Sequence, residues 1–114
     1  MHEFGIIENI FKVIEKTAED NGLSRISKVR LKIGKMRQVV PELMQNAFAI
    51  VSEQTIANGA VLEIEKVPIR MKCLTCGGEF MVREQEYICP ECGSVRLETL
   101  SGQELVLESV EGEK

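Results

Sequence analysis

The chain has 114 residues, 44% hydrophobic and 28% charged, with no Trp and one Tyr. That describes one ordinary domain, or a small domain plus a metal-stapled module, around an aliphatic core. Its formal net charge of -4 argues against general nucleic-acid binding, where affinity comes from counterions released by basic side chains; no apolar run approaches the ~20 residues that span a bilayer.

Residues 3 to 20 carry Ile7, Ile10, Phe11, Ile14 and Ala18 at the i, i+3, i+4 spacing of an amphipathic helix. Asn21-Gly22 is its stop signal, because Gly readily takes the left-handed conformation that closes a helix. Residues 25 to 33 alternate, with Val29, Leu31 and Ile33 opposite Lys28, Arg30 and Lys32, and predict a half-buried strand. A second helix should open at Pro41, whose missing N–H costs nothing in a first turn. Its stripe is Met44, Ala47, Phe48 and Val51, and its expected end is Asn58-Gly59. Residues 60 to 67 alternate again, with Leu62 and Ile64 opposite Glu63 and Glu65, and residues 103 to 110 form a last strand. The basic run from Arg25 to Arg37 reads as a solvated strand face, matched by Glu63, Glu65, Glu104 and Glu108 on neighbouring strands. Met36 and Met44 read as gap-filling side chains.

Between these elements lie all four cysteines, as Cys73-x2-Cys76, twelve residues, then Cys89-x2-Cys92. Two cysteines three apart in a tight turn can hold an ion from two sides, and two such turns complete a tetrahedron of thiolates. Gly77 and Gly93 each follow the second cysteine of a pair, where Gly lets the chain fold back toward sulfur. Phe80, Val82 and Ile88 are expected to supply the short strands of a zinc ribbon. Iron in a rubredoxin-like site is an alternative occupant; thioredoxin-like redox chemistry fits poorly, since neither pair opens a helix after a strand. In the cytoplasm thiols stay reduced, so such pairs are metal ligands before they are disulfides. The cytoplasm is the expected compartment, because Met1-His2-Glu3 has no basic n-region or small-residue cleavage site.

The expected fold is therefore α+β, with two helices on a small three-stranded sheet and an inserted four-cysteine zinc-ribbon module. Residues 1–67 plus 102–114 form the helix/sheet domain, and 68–101 the ribbon domain.

His2 is the only histidine. The Met1 amine, the His2 imidazole and the backbone amides of His2 and Glu3 bring nitrogen donors together at a helix start. The first N–H groups of a helix have no intrahelical partner. Such donors favour a square-planar or tetragonal ion, Ni(II) or Cu(II); the bland alternative is a solvated terminus of no importance. Nothing supports catalysis: there is no Ser-His-Asp arrangement and no phosphate-cradling G-x-x-x-x-G-K.

Met1-His2-Glu3, the amphipathic helix after it, the two C-x2-C-G knuckles, Val-Arg-Leu-Lys-Ile-Gly within 28–34 and Pro41-Glu42-Leu43 together resemble the hydrogenase nickel-incorporation proteins, the HypA/HybF family. The resemblance spans essentially the whole chain. It implies a nickel metallochaperone rather than an enzyme, one that delivers Ni(II) during maturation of nickel-iron hydrogenase and, in some bacteria, serves urease. His2 would be the nickel ligand, with Met1 and Glu3 contributing backbone nitrogen, while Cys73, Cys76, Cys89 and Cys92 hold structural zinc. The implied partners are a nickel-binding GTPase of the same pathway and the hydrogenase large subunit, with no nucleic acid and no membrane, the chain acting as a monomer or weak homodimer. The competing reading is a zinc-ribbon module for nucleic acid or protein. Residues 69–98 oppose it, with four basic residues against five acidic ones and only Phe80 and Tyr87 as stacking platforms.

Overall fold

The computed structural model describes residues 3–114. Helix α1 spans Glu3–Asp20, strand β1 Arg25–Gly34, helix α2 Pro41–Ser52 and strand β2 Val61–Val67. Strands β3 (Arg70–Cys73), β4 (Glu79–Met81) and β5 (Leu97–Ser101) follow, and β6 (Leu105–Glu113) closes the order. This is the expected α+β arrangement. Among the described residues no helix is long and apolar enough to cross a membrane.

One sheet has the order β2-β1-β6. Ion pairs advance in the same direction along β1 and β2, Lys28 with Glu63 and Arg30 with Glu65, so these strands run parallel and α2 forms the crossover that parallel neighbours need. Strand β6 runs antiparallel to β1: Ser24 N–H donates to Glu113 O at one end, and Gly34 N–H to Glu104 O at the other.

The described chain forms two compact units. One takes the chain up to Lys32, Gln38–Glu65 and Val106–Lys114; the other takes Ile33–Arg37 and Lys66–Leu105. In the first unit the predicted stripe of α1 is buried at Ile7, Phe11, Ile14 and Ala18. Helix α1 packs on α2, and Met44, Ala47 and Phe48 of α2 are buried with Ile26, Val29 and Leu31 of β1. Phe11 and Phe48 pack edge to face, with centroids 6.2 Å apart, a geometry that sets the positive ring edge against the negative face.

Helix α2 stops at Ser52, short of the expected Asn58-Gly59. The Ser52 hydroxyl donates to Ala49 O and the Thr55 hydroxyl to Ser52 O. These side chains take up carbonyls that a continuing helix would use. Gln54 then adopts φ +61°, and a string of turns carries the chain to Gly59 at φ +81°, just before β2 begins at Val61.

The second unit carries its own sheet, β4-β3-β5. Met71 faces Phe80 on one side and Thr99 on the other. Phe80 is thus a ribbon strand residue as expected. Ile88 is not: it lies in no strand and is 53% exposed, because the third strand comes from Leu97–Ser101, after the second cysteine pair. In this unit Gly34 lies so close to the Gly102 backbone that a Cβ would collide with it, and Gly102 (φ +116°) rests in turn on Ile69. Gly34 permits the first approach and Gly102 the second, each because it carries no side chain.

Candidate metal centre

Strand β3 ends on Cys73, and the chain turns back immediately. Cys73 N–H donates to Gly78 O (2.8 Å) and Gly77 N–H to Cys73 O (2.8 Å). The second pair repeats the pattern, Cys89 N–H to Ser94 O (2.9 Å) and Gly93 N–H to Cys89 O (2.9 Å). Each turn closes on a glycine of positive φ, +79° at Gly77 and +75° at Gly93, a conformation that side-chain-bearing residues rarely take. The two knuckles are therefore copies of one local structure. They are joined directly: the Thr75 and Ser94 hydroxyls share a 2.9 Å hydrogen bond, and Leu74 N–H donates to Arg96 O at 2.9 Å.

This brings all four predicted cysteine ligands together. Their sulfurs lie within 4.8 Å of one another, with Cys73 Sγ 3.5 Å from Cys92 Sγ and Cys76 Sγ 3.7 Å from Cys89 Sγ. Four thiolates bound tetrahedrally at about 2.3 Å would stand about 3.8 Å apart, so the geometry fits a metal ion. Cys73 and Cys89 are buried, whereas Cys76 and Cys92 are exposed. The cluster is electrostatically primed for a cation. The Cys76 N–H, aimed at Cys73 Sγ from 3.5 Å, brings the Cys73 thiol down to about 6, with the Thr75 N–H adding to it against desolvation. At Cys92 the Ser94 N–H pulls downward but is outweighed: the neighbouring Cys73 sulfur and burial together push Cys92 up to about 12. Cys76 is likewise raised, the Gly78 N–H being overcome by the Cys89 and Cys73 sulfurs. One thiolate thus suppresses the ionisation of its neighbours, and only a bound cation lets all four ionise together.

Of the predicted nickel-site residues, Met1 and His2 lie outside the described residues. Glu3 opens α1 and is only 4% exposed. Its carboxylate accepts a 2.9 Å hydrogen bond from Val40 N–H, at the residue before α2. Sequence reasoning gave Glu3 a backbone role only and missed this contact, as it missed the Thr75–Ser94 clasp. Neither carries a local signal, since both join residues whose meeting depends on the folded chain.

The helix-sheet unit and the paired cysteine knuckles define a small metal-binding protein whose four-thiolate centre offers no vacant ligand position. The whole-chain comparisons give the family. Residues 1–112 match the family described as hydrogenase/urease nickel incorporation, metallochaperone, hypA, and the chain belongs to it. It is similar to the hydrogenase maturation factor HypA of Desulfitobacterium hafniense (strain DSM 10664 / DCB-2), at 36% identity over 114 residues and 100% of both chains. It is also similar to that of Dehalococcoides mccartyi (strain CBDB1), at 38% identity over 111 residues, 97% of this chain and 93% of the relative. The fold matches the solution structure of the Ni metallochaperone HypA from Helicobacter pylori, with a TM-score of 0.69 at 23% identity over 99% of this chain and 98% of that one. A second HypA solution structure gives a TM-score of 0.72 at 25% identity, covering 98% and 96%.

Proposed function

We propose that this chain binds Ni(II) at Met1-His2-Glu3 and delivers it during maturation of nickel-iron hydrogenase, while Cys73, Cys76, Cys89 and Cys92 hold a structural zinc ion. The observation that carries the reading is the closed thiolate tetrahedron in a member of a nickel-incorporation family. A centre with four protein sulfurs around one ion keeps no open position for exchange, so the transferable metal needs a second site. His2, the only histidine of the sequence, and Met1 directly precede α1 in the chain, and amine, amide and imidazole donors suit Ni(II). Glu3 supports the arrangement, because its buried carboxylate fixes the first turn of α1 at Val40.

Zinc is the natural occupant of four thiolates in two knuckles. The chain itself then performs no catalysis: it acts in the cytoplasm, as a monomer or weak homodimer, between a nickel-binding GTPase and the hydrogenase large subunit. The family description names urease beside hydrogenase. The nucleic-acid alternative gains nothing from the structure: on the ribbon sheet Arg70 pairs with Glu79 at 3.3 Å, and Lys72 stands in register with Glu79 and Glu98.

The test is Ni(II) titration of zinc-loaded protein with its native N-terminus, beside His2→Ala and a variant extended by one residue before Met1. One nickel bound by the wild type and lost by both variants, with zinc content unchanged, is the expected result. Equal binding by all three, or by none, removes the N-terminal site.

A further inference from the structure

Two sulfur–sulfur contacts of the tetrahedron run between the knuckles, Cys73 to Cys92 at 3.5 Å and Cys76 to Cys89 at 3.7 Å. Each pair combines one buried and one exposed residue: Cys92 is exposed beside buried Cys73, and Cys76 beside buried Cys89. A solution oxidant reaches the exposed sulfur first, and the buried partner is already in contact with it.

We propose that the cysteine centre is a modification site for hydrogen peroxide, in which Cys76 and Cys92 are the sulfurs attacked and Cys89 and Cys73 the ones that resolve them. The product is a metal-free ribbon closed by Cys73–Cys92 and Cys76–Cys89 disulfides. The proposal rests on the zinc reading above. The exposed thiolate attacks one peroxide oxygen, the O–O bond breaks, and the cysteine becomes a sulfenic acid. The partner thiolate then attacks that sulfur, the S–O bond breaks, and the oxygen leaves as water after protonation. Each pair gives up two electrons to one peroxide. For the whole centre, four thiolates, two peroxides and four protons give two disulfides, four waters and one released zinc ion. The ion leaves because thiolate, not disulfide sulfur, is its ligand.

The pairing follows from how the knuckles are held. The Thr75–Ser94 bond at 2.9 Å and the Leu74 N–H to Arg96 O bond at 2.9 Å keep the two turns side by side, so each sulfur pair has only to close to roughly 2.05 Å. Disulfides between knuckles also preserve the cross-link that the metal provided. The oxidised ribbon therefore stays stapled, and reduction with added zinc returns it to its first state.

Trypsin separates the two knuckles, since cleavage after Lys72, Arg83 and Arg96 yields peptides 73–83 and 84–96, each with both cysteines of one pair. Zinc-loaded full-length protein is treated with hydrogen peroxide after its metal content is measured. Released zinc is followed with a chromophoric chelator, and the digest is analysed by mass spectrometry without reduction. The expected result is about one ion released per chain at about two equivalents of peroxide. Peptides 73–83 and 84–96 are then joined, with fragmentation placing Cys73 on Cys92 and Cys76 on Cys89, and dithiothreitol with zinc reverses the change. Two separate peptides, each with its own internal disulfide, overturn the pairing. Zinc retained with four unmodified thiols overturns the modification site and leaves the zinc reading standing. A preparation that carries no metal before peroxide is added overturns the zinc reading, and the release step with it.

Discussion

Glu3 is a carboxylate at the start of a helix with almost no exposure to water, and a charge in that position needs compensation. Two sources can be named among the described residues. The Val40 N–H donates to it at 2.9 Å, and the first turn of α1 presents backbone N–H groups whose summed dipole favours an anion. The contact spans 37 positions in sequence, tying the entry of α1 to the residue that precedes α2. Removing the carboxylate leaves Val40 N–H without this acceptor, and a hydrogen bond to a charged group is worth roughly 1.5–3 kcal/mol. Glu3→Ala should therefore lower the unfolding free energy by about that amount in urea titrations. Glu3→Gln, which keeps an acceptor oxygen, should lower it by less. Equal stability of Glu3→Ala and wild type would show that the contact contributes nothing. The Glu3 carboxylate could not have been assigned this part from sequence, because nothing near residue 3 points to residue 40.

The strands are where sequence was most legible. Alternation along β1 put Val29, Leu31 and Ile33 inside and Lys28, Arg30 and Lys32 on the other face, and the structure agrees; on β2 it holds for Leu62 alone, because Ile64 is half-buried like Glu63 and Glu65. Matching of the basic face by neighbouring acids is also observed. Arg30 donates to Glu63 and Glu65 on β2 and to Glu108 on β6 at 2.8–2.9 Å. Glu104, the remaining expected partner, instead accepts from Gly102 N–H, because it lies before β6 in the turn that follows β5. What pattern could not supply was any interruption with a local cause, such as the early end of α2 at Ser52. In β1, burial steps from Ile26 to Val29 rather than to Lys28, an irregularity that strict alternation does not foresee. The Arg30 cluster has a pH consequence. The Lys28 ammonium and the Arg30 guanidinium hold Glu63 below the ordinary carboxylate range, and Arg30 with Lys32 does the same for Glu108. The folded state therefore holds these protons less tightly than the unfolded chain. The stabilisation is present in full above the ordinary glutamate range and is lost as pH falls through the depressed folded values. Arg30→Gln should move the acid-unfolding midpoint, followed by circular dichroism, to higher pH. Because these groups face solvent, the displacement should shrink in high salt. An unchanged midpoint at low salt would mean that the cluster is electrostatically idle.

The two units differ sharply in what holds them. The unit containing α1 and α2 buries a continuous aliphatic and aromatic set, from Ile7, Phe11 and Ile14 through Val29 and Leu31 to Met44, Phe48 and Leu62. The unit made of Ile33–Arg37 and Lys66–Leu105 buries few apolar side chains, chiefly Ile33, Ile69 and Met71, together with Cys73 and Cys89. Segments of this size with so small a core usually need a disulfide or a metal. A structural zinc site provides roughly 10–16 kcal/mol of apparent binding free energy at neutral pH, which in such modules is folding free energy. Removing the metal with a strong chelator under reducing conditions should then act unevenly. Amides of β3, the middle strand of β4-β3-β5, should lose hydrogen-exchange protection, because the ends of that sheet are pinned by the knuckles at Cys73 and, through Arg96, at Leu74. Amides of β1 at Val29 and Leu31 should keep theirs, since these residues belong to the unit with the larger apolar core. Returning zinc should restore β3. Loss of protection throughout the chain would mean that the first unit also depends on the metal, and retention of protection in β3 would mean that the ribbon sheet is self-sufficient, with the four thiolates free to serve chemistry instead of architecture.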